Sequence, residues 1–203
     1  MASSPRYEIL APRLLGSEFN EATAFGSAAW LWLHSARHRN VPMHTLSTLL
    51  LPAIKQGKFV LVSEQGQPVF YMSWADLDEE AEARYLRHSP EQMRQSDWDS
   101  GERMWILDWI APFGHTRLMR QLVGSRLLPN RSFRALYHKG DRRGLRIKEM
   151  HGMAVHPREA RAWFEQHPPA WPERIGEPAA PAHPGHAIDA TIATTIVMPG
   201  LSA

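Results

Sequence analysis

The sequence contains no cysteine among its 203 residues. Disulfide bonds, thiolate metal sites and a cysteine nucleophile are therefore excluded. Long apolar runs are missing as well, since no window approaches the roughly 18 apolar residues of a membrane-spanning helix. Residues 1–20 also hold no apolar run long enough for a signal peptide. These absences predict a protein without a membrane span that is located in the bacterial cytoplasm.

The charges are unevenly distributed along the chain, although the net charge is only +2 at pH 7. Residues 76–102 carry nine acidic and three basic side chains, whereas residues 115–150 carry ten basic and two acidic ones. Two solvated faces of opposite charge would account for this pattern. A basic surface that attracts an acidic partner would also account for it. An acidic carrier protein is such a partner; nucleic acid is disfavoured because no binding motif for it is present.

The composition divides the chain into three parts. We expect an irregular leader over residues 1–16 and a single domain over residues 17–167. Residues 168–203 are expected to form a disordered tail, because seven of these 36 residues are proline and many are alanine. The apolar stretch 187–198 leaves open an added edge strand or a segment that binds a partner.

Within the domain, hydrophobic periodicity alternates between helical and strand-like spacing. The first predicted elements are a helix from residue 17 to about 38, a helix over 45–56 that Pro52 is expected to kink, and a hairpin of strands 58–63 and 68–74. A helix over 77–87, a buried central strand over 104–110 and a basic helix over 115–127 follow. The last predicted elements are a second hairpin of strands 133–138 and 145–150 and a helix over 157–166. This order indicates an α/β fold, with a mixed sheet flanked by helices.

Three histidines, His34, His38 and His44, cluster near the first helix. His34 and His38 are four residues apart and could share one helical face. A zinc site needs further ligands, and the HExxH pattern is absent, so no metal site is predicted. His38 lies at the end of the predicted helix and shortly before Pro42. Such an irregular position suits a side chain with a chemical role.

Asp108 interrupts the most apolar short run of the chain, residues 104–110. A carboxylate is costly to bury without a partner. One interpretation is that Asp108 pairs with a structural arginine or faces solvent at the end of its strand. The other is that Asp108 binds an imidazole N–H, fixes its tautomer and stabilises the imidazolium when that forms.

A colinear set of short blocks, spanning about residues 24–165, resembles the RTX toxin-activating lysine acyltransferases, the family of the hemolysin-activating protein. The longest block is Asp108-Trp109-Ile110-Ala111-Pro112-Phe113-Gly114. The shorter blocks are Trp30-Leu31-Trp32, His38-Arg39-Asn40 with Pro42, Leu51-Pro52-Ala53-Ile54, Ser73-Trp74-Ala75, Tyr85-Leu86, Trp98 to Gly101, and His151-Gly152. One block would be a weak signal, but six or more in the same order are a strong one.

This resemblance implies a fold like that of the Gcn5-related N-acetyltransferases. It also implies that a fatty acyl group is transferred from acyl carrier protein to internal lysines of a protoxin of the RTX type. The acylated carrier is then a co-substrate, no cofactor is bound, and members of the family can dimerise. The catalytic histidine of the family matches His38, and the catalytic aspartate matches Asp108.

Further positions are implied to support the reaction or contact the substrate. They are Ser35, Asn40, Ser73, Trp74 and Gly114. The family often has a cysteine before the serine of the Ser73-Trp74 block, whereas this chain has Met72, which argues against a covalent step on cysteine. Arg117, Arg120 and Arg126, in the basic region, are the predicted docking residues for the acidic carrier.

The predicted mechanism has His38 as the general base, Asp108 as the residue that orients it, and backbone N–H groups near residues 111–114 as donors to the thioester oxyanion. An acyl-histidine or acyl-serine intermediate remains an alternative route. A CoA-dependent N-acyltransferase of a small amine and a non-catalytic partner of a secreted protein remain alternative functions. The main hypothesis requires that His38 and Asp108 lie in contact and remain open to a lysine.

Overall fold

A computed structural model describes residues 7–88, 92–137 and 146–170. The strands are β1 (Tyr7–Leu10), β2 (Phe59–Glu64), β3 (Gln67–Leu77), β4 (Arg103–Ile110), β5 (Ser132–Tyr137) and β6 (Arg146–His151). The α-helices are α1 (Pro12–Leu15), α2 (Glu21–His34), α3 (Leu46–Leu49), α4 (Leu51–Lys55), α5 (Glu79–Arg87), α6 (Thr116–Leu122) and α7 (Pro157–Gln166). Two 3₁₀ turns, Met43–Thr45 and Gln95–Trp98, and a π turn, Val123–Leu127, lie between them.

The six strands form one sheet in the order β1-β2-β3-β4-β5-β6. Neighbouring strands are antiparallel, except that β4 and β5 are parallel. The parallel pair needs a crossover, which α6 and the π turn supply. The α/β class and the mixed, helix-flanked sheet predicted from the sequence are confirmed.

Helices cover both faces of the sheet. On one face, Met119 of α6 packs with Val123 and Leu127 of the π turn against apolar side chains of β2, β3 and β4. On the other face, the buried stripe of α2 packs against β2, β3 and β4. The members of this stripe recur at three- and four-residue spacing, which places them on one side of the helix; they are Ala24, Ala28, Leu31 and Trp32. We call this second side the α2 face of the sheet.

The structure differs from two expectations about local structure. Part of the expected irregular leader is ordered, because Tyr7–Leu10 pairs with β2 as an edge strand and Ala11 is fully buried. The backbone hydrogen bonds to β2 stabilise this strand, whose four residues are too few to give a periodic signal. The predicted helix over 45–56 is instead the two short helices α3 and α4, because Pro52 lacks the N–H that a continuous helix would need.

Some predictions fall outside the described residues. They include the tail from residue 171 onwards, the first six residues and the loop of the second hairpin, 138–145. Within the described ranges, no helix is long and apolar enough to cross a membrane.

A buried carboxylate connects the end of the described chain to the sheet. Glu82 of α5 is 0% exposed and accepts hydrogen bonds from Trp105 Nε1 at 2.7 Å and from the Ala170 N–H at 2.9 Å. Arg103 also donates to Glu82, and Arg134 Nη1 lies 3.5 Å from its Oε1. Arg134 is itself 1% exposed and donates to the His167 carbonyl. The ion cluster therefore joins α5, β4 and β5 to residues 167–170.

We predict that Glu82→Ala will destabilise the fold by about 3–5 kcal/mol, because it leaves two arginines without their buried counter-charge. Denaturant unfolding of the variant and the wild type measures this difference. Glu80→Ala is the matched control: the Glu80 side chain is 87% exposed, its contact with Arg84 is 3.6 Å, and its loss should cost less than about 1 kcal/mol. Equal unfolding midpoints for the two variants would contradict the structural role of Glu82.

Candidate active site

His38 is carried to the sheet by a tight turn that follows α2. Asn20 caps the start of this helix, because its side chain accepts a hydrogen bond from the Thr23 N–H at 2.9 Å, and the helix ends at His34. The His38 N–H then donates to the Ser35 carbonyl at 3.1 Å, which reverses the chain direction. Although most of its neighbours in this turn are exposed, His38 is only 3% exposed. The turn therefore directs its imidazole inwards.

A β-bulge determines the face of the sheet on which Asp108 lies. Ser73 of β3 pairs with Asp108, but the next residue, Trp74, pairs with Ile106, so Leu107 is an extra residue on β4. In a regular strand, in which every residue alternates, Asp108 would lie on the same face as Ile106, among the apolar side chains packed on α6. The bulge turns its carboxylate to the α2 face instead, where His38 lies.

Four polar side chains meet there in a continuous series. His38 Nε2 lies 3.7 Å from Asp108 Oδ1. The other carboxylate oxygen, Oδ2, accepts a hydrogen bond from the Ser73 hydroxyl at 2.6 Å. On the far side of the imidazole, His38 Nδ1 lies 2.7 Å from the Ser35 hydroxyl oxygen. The indole of Trp32 packs beside the imidazole, with ring centroids 4.9 Å apart.

The electrostatics of the pair follow from its burial. Loss of solvent raises the pKa of the Asp108 carboxyl above its ordinary value, while the nearby His38 and the Ser73 hydrogen bond offset part of that rise. An ionised carboxylate only accepts hydrogen bonds, so a neutral His38 is most stable with its proton on Nε2, facing Asp108. Nδ1 then carries the lone pair, which accepts the hydrogen bond of the Ser35 hydroxyl. The arrangement provides a proton acceptor whose charged form is stabilised by a carboxylate.

The required access for a lysine is absent in this conformation. The side chains of His38 and Asp108 are only 2% and 0% exposed. The recorded backbone hydrogen bonds of residues 35–41 all connect residues three or four apart in sequence, for example from the Val41 N–H to the His38 carbonyl. These backbone hydrogen bonds are local to the turn and do not join it to a strand of the sheet.

The other candidate residues, Asn40, Gly114 and Trp74, are not members of this series of four polar side chains. Asn40 is exposed on the turn after His38, and Gly114 is exposed after β4 with a φ of 85°, in the left-handed region that favours glycine. Trp74 is buried on the opposite face, where it lines a cavity of about 480 Å³. Trp74 is therefore not part of the His38 cluster.

The predicted docking arginines lie on α6 and the π turn. Arg117 and Arg126 are exposed, and Arg120 is partly buried.

As for metals, the described part of the chain contains no group of three or more histidine, aspartate or glutamate side chains that could hold an ion.

Sequence reasoning did not single out Tyr71, which is 0% exposed on β3. It lies two residues before Ser73 on the same strand and therefore on the same face, next to the row that contains Asp108. Burial, together with the negative charge of Asp108, raises the pKa of Tyr71 well above its ordinary value. Strand alternation relative to Ser73 was the one signal that could have identified this residue.

Comparison with known proteins identifies the chain. The model of the RTX toxin acyltransferase family matches residues 17–151, a range that contains Ser35, His38, Ser73 and Asp108. The protein-lysine myristoyltransferase RtxC of Kingella kingae is 37% identical over 142 residues, which cover 70% of this chain and 84% of that protein. The RTX-I toxin-activating lysine-acyltransferase ApxIC of Actinobacillus pleuropneumoniae is 35% identical over 153 residues, or 75% and 88% of the two chains.

A third relative, the protein-lysine palmitoyltransferase CyaC of Bordetella bronchiseptica, is 35% identical over 159 residues, which cover 77% of this chain and 84% of that protein. These matches define the class of the protein as an acyltransferase. The chain belongs to the RTX toxin acyltransferase family.

We predict that Asp108→Asn will raise the thermal stability of the protein at neutral pH. A raised pKa means that the folded state holds the Asp108 proton more tightly than the unfolded state does. The bound proton of Asp108 therefore stabilises the folded state at low pH. This stabilisation is lost as the pH rises through the raised pKa. Asparagine keeps the size of the side chain and an acceptor for Ser73 but removes the buried charge.

Thermal unfolding from pH 5 to pH 8 tests this prediction. The Tm of the variant should exceed that of the wild type by a few degrees at pH 8, since about 1 kcal/mol shifts the Tm of a domain of this size by about 2–4 °C. The difference should shrink as the pH falls towards the raised pKa of Asp108. A variant that is less stable than the wild type at pH 8 would show that the ionised carboxylate stabilises the fold, contrary to this account.

Proposed function

We propose that this acyltransferase moves a fatty acyl chain from acyl carrier protein to internal lysines of an RTX-type protoxin in the cytoplasm and thereby activates the toxin. The names of the relatives support the acceptor and the chemistry, since they describe lysine acylation with myristoyl or palmitoyl chains and activation of toxins. The observation that carries the proposal is the 3.7 Å contact between His38 and Asp108. These two residues are 70 positions apart in sequence, and both lie inside the range matched by the family model.

The reaction needs a base because the acceptor is protonated in water. A lysine amine with a pKa of about 10.4 is neutral in only a few parts per ten thousand at pH 7. In our proposal the lysine ammonium first loses one proton to solvent, and the neutral amine then attacks the thioester carbonyl carbon. As the C–N bond forms, His38 Nδ1 accepts the second proton, which the nitrogen loses. The C–S bond then breaks, and the imidazolium returns the proton to the thiolate of the carrier. Such proton transfer contributes about 10²–10⁴-fold to a rate.

Asp108 acts through His38 in this scheme. Its carboxylate faces Nε2, so it keeps the proton on that nitrogen and leaves Nδ1 to act as the base. It also stabilises the positive charge of the imidazolium that forms during transfer. Ser73 holds the carboxylate in place through its 2.6 Å hydrogen bond. Ser73 is therefore a positioning residue.

Ser35 separates two routes to the product. Its hydroxyl lies 2.7 Å from His38 Nδ1, the nitrogen that serves as the base. In the direct route, the lysine amine displaces Ser35 from this nitrogen, and Ser35 has no covalent role. In the alternative route, Ser35 attacks the thioester and carries the acyl group as an ester. We favour direct transfer, in which Ser35 only occupies the base while substrate is absent.

Substrate access is part of the proposal. Because His38 and Asp108 are buried in the described conformation, the turn over residues 35–41 has to move before an acyl chain and a lysine can meet the base. The local hydrogen bonds of that turn make such a movement inexpensive relative to opening the sheet. Binding of the acylated carrier or the protoxin would then favour the open form.

The carrier is proposed to dock on the basic surface of α6 and the π turn. Arg117 and Arg126 are exposed there, and the helix follows β4, the strand that carries Asp108, after a loop of five residues. Although α6 packs on the face of the sheet opposite to the α2 face, its exposed cations raise the rate at which an acidic partner arrives at the protein, and salt screens this effect.

We predict that His38→Ala and Asp108→Asn will each lower acyl transfer by at least about 10²-fold, because they remove the base or its charged partner. The assay combines purified enzyme, acylated carrier protein and a candidate RTX-type substrate. Mass spectrometry of the substrate gives the modified lysines, the mass of the acyl group and the rate.

Ser35→Ala is the matched variant in the same assay. Direct transfer predicts that it keeps activity within about 10-fold of the wild type, since only a hydrogen bond to the resting base is lost. Loss of activity as complete as that of His38→Ala, together with an acyl-enzyme trapped on wild-type protein without acceptor, would replace the direct route by the covalent one. Full activity of His38→Ala would overturn the proposed mechanism.

We predict that reversing the exposed arginines, in the Arg117→Glu/Arg126→Glu variant, will weaken carrier binding by about 10-fold or more at low salt and flatten its salt dependence. Arg120 is partly buried, so its reversal is better tested separately. The control variant is Arg158→Glu/Arg161→Glu on α7, where both side chains are also exposed. Carrier affinity that is the same for both variants, or that does not change with salt, would contradict the docking surface.

A further inference from the structure

Two buried hydrogen-bond donors border the His38–Asp108 pair. The indole N–H of Trp32 has no hydrogen-bond partner among the residues that the structure describes. The Tyr71 hydroxyl has no partner there with full hydrogen-bond geometry, although the Ser73 hydroxyl, which donates to Asp108, lies close enough to lower the pKa of Tyr71. Trp32 is 2% exposed and Tyr71 is 0% exposed. Folding normally pairs such groups, because a buried donor without an acceptor loses its hydrogen bonds to water without compensation.

Both donors lie on the α2 face of the sheet, in the same apolar cluster. The ring of Trp32 is 4.9 Å from the imidazole of His38, measured between centroids. Tyr71 pairs with Ile110 in the row next to that of Ser73 and Asp108, and the charge of Asp108 helps to raise the pKa of its hydroxyl. The hydroxyl therefore keeps its proton and remains a donor.

The position of these donors matters more than their lack of partners. Trp109 also has a buried indole N–H without a hydrogen-bond partner in the described ranges, but it lies on the opposite face, against Phe70. A single such group is therefore no sign of a site. Two donors of different chemistry beside the same histidine–aspartate pair indicate that an acceptor atom from outside the protein belongs between them.

We propose that the Tyr71 hydroxyl and the Trp32 N–H donate hydrogen bonds to the carbonyl oxygen of the thioester during acyl transfer. This inference rests on the proposed function, which supplies the thioester. As the lysine nitrogen bonds to the carbonyl carbon, an electron pair moves onto the oxygen, and the two donors stabilise the resulting negative charge. The pair returns when the C–S bond breaks, so neither donor transfers its proton.

This assignment differs from the expectation that backbone N–H groups near residues 111–114 bind the oxyanion. Phe113 and Gly114 in that loop are exposed, and water weakens a hydrogen bond to a developing charge. Trp32 and Tyr71 are as deeply buried as His38 and Asp108. All four groups would therefore meet the substrate together, in a site from which water is excluded.

Tyr71→Phe is the central test, because it removes only the hydroxyl. With purified enzyme, acylated carrier protein and acceptor, we expect kcat to fall by about 10- to 10³-fold while KM stays within about threefold, since the hydrogen bond strengthens as charge develops. The Tm should be unchanged or higher, because an unpaired buried hydroxyl is removed. Trp32→Phe should likewise lower kcat more than it changes KM, although its smaller ring will also lower the Tm.

Tyr85→Phe is the matched control. Tyr85 is 1% exposed and packs on Trp105 in the neighbouring cluster, and its pKa is also raised by burial and by the charge of Asp108. This variant should keep wild-type kcat. If it loses as much kcat as Tyr71→Phe, proximity to the carboxylate and not donation to the substrate explains the effect, and the inference fails.

The remaining outcomes separate this inference from the proposed function. Wild-type kcat in Tyr71→Phe, with His38→Ala inactive, would overturn the inference and leave the proposed function intact. A higher KM with unchanged kcat in Tyr71→Phe would also overturn it, because the hydroxyl would then only help to bind the substrate. Absence of acyl transfer by the wild-type enzyme would overturn the proposed function itself and the inference with it.

Discussion

Asp108 brings a carboxylate into the interior of the protein, where an isolated ion would be strongly disfavoured. Its surroundings reduce that cost with one strong hydrogen bond from Ser73 and one imidazole at 3.7 Å. The compensation is incomplete, because the pKa of the carboxyl remains raised. A fold selected only for stability would have an apolar or amide side chain at this position. The retained charge agrees with our proposal that Asp108 stabilises an imidazolium on His38.

Several features of the fold serve this one contact. The extra residue Leu107 turns Asp108 to the α2 face, and the turn after α2 directs His38 to the same place. Ser35 and Ser73 then occupy the remaining hydrogen-bonding atoms at the two ends of the series. The ion cluster around Glu82 stabilises the neighbouring part of the sheet, including Trp105 at the start of the same strand. The site is thus built on the sheet and on the turn after a long helix, and this turn carries His38.

The sequence predicts the class of fold well, because hydrophobic periodicity and strand length carry that information for α2, β2, β3, β4 and α7. It also indicates Asp108, since a charge inside an apolar strand is unusual, and His38 through resemblance to a family. It could not predict the bulge at Leu107, because a bulge depends on how two strands pair. Without the bulge, simple alternation assigns Asp108 to the wrong face. Nor could it predict that His38 is buried, or that Tyr71 lies beside the pair, since both depend on tertiary packing.

The most direct test of the central claim is the tautomer of His38, observed by NMR of protein labelled with ¹⁵N in its histidines. The chain has 11 histidines, so the His38 signals are assigned by their loss in a His38→Gln variant. The account predicts a neutral imidazole with its proton on Nε2 and a hydrogen-bonded lone pair on Nδ1, and a clear change of these signals in Asp108→Asn. A proton on Nδ1, or signals that do not respond to the loss of the carboxylate, would contradict it.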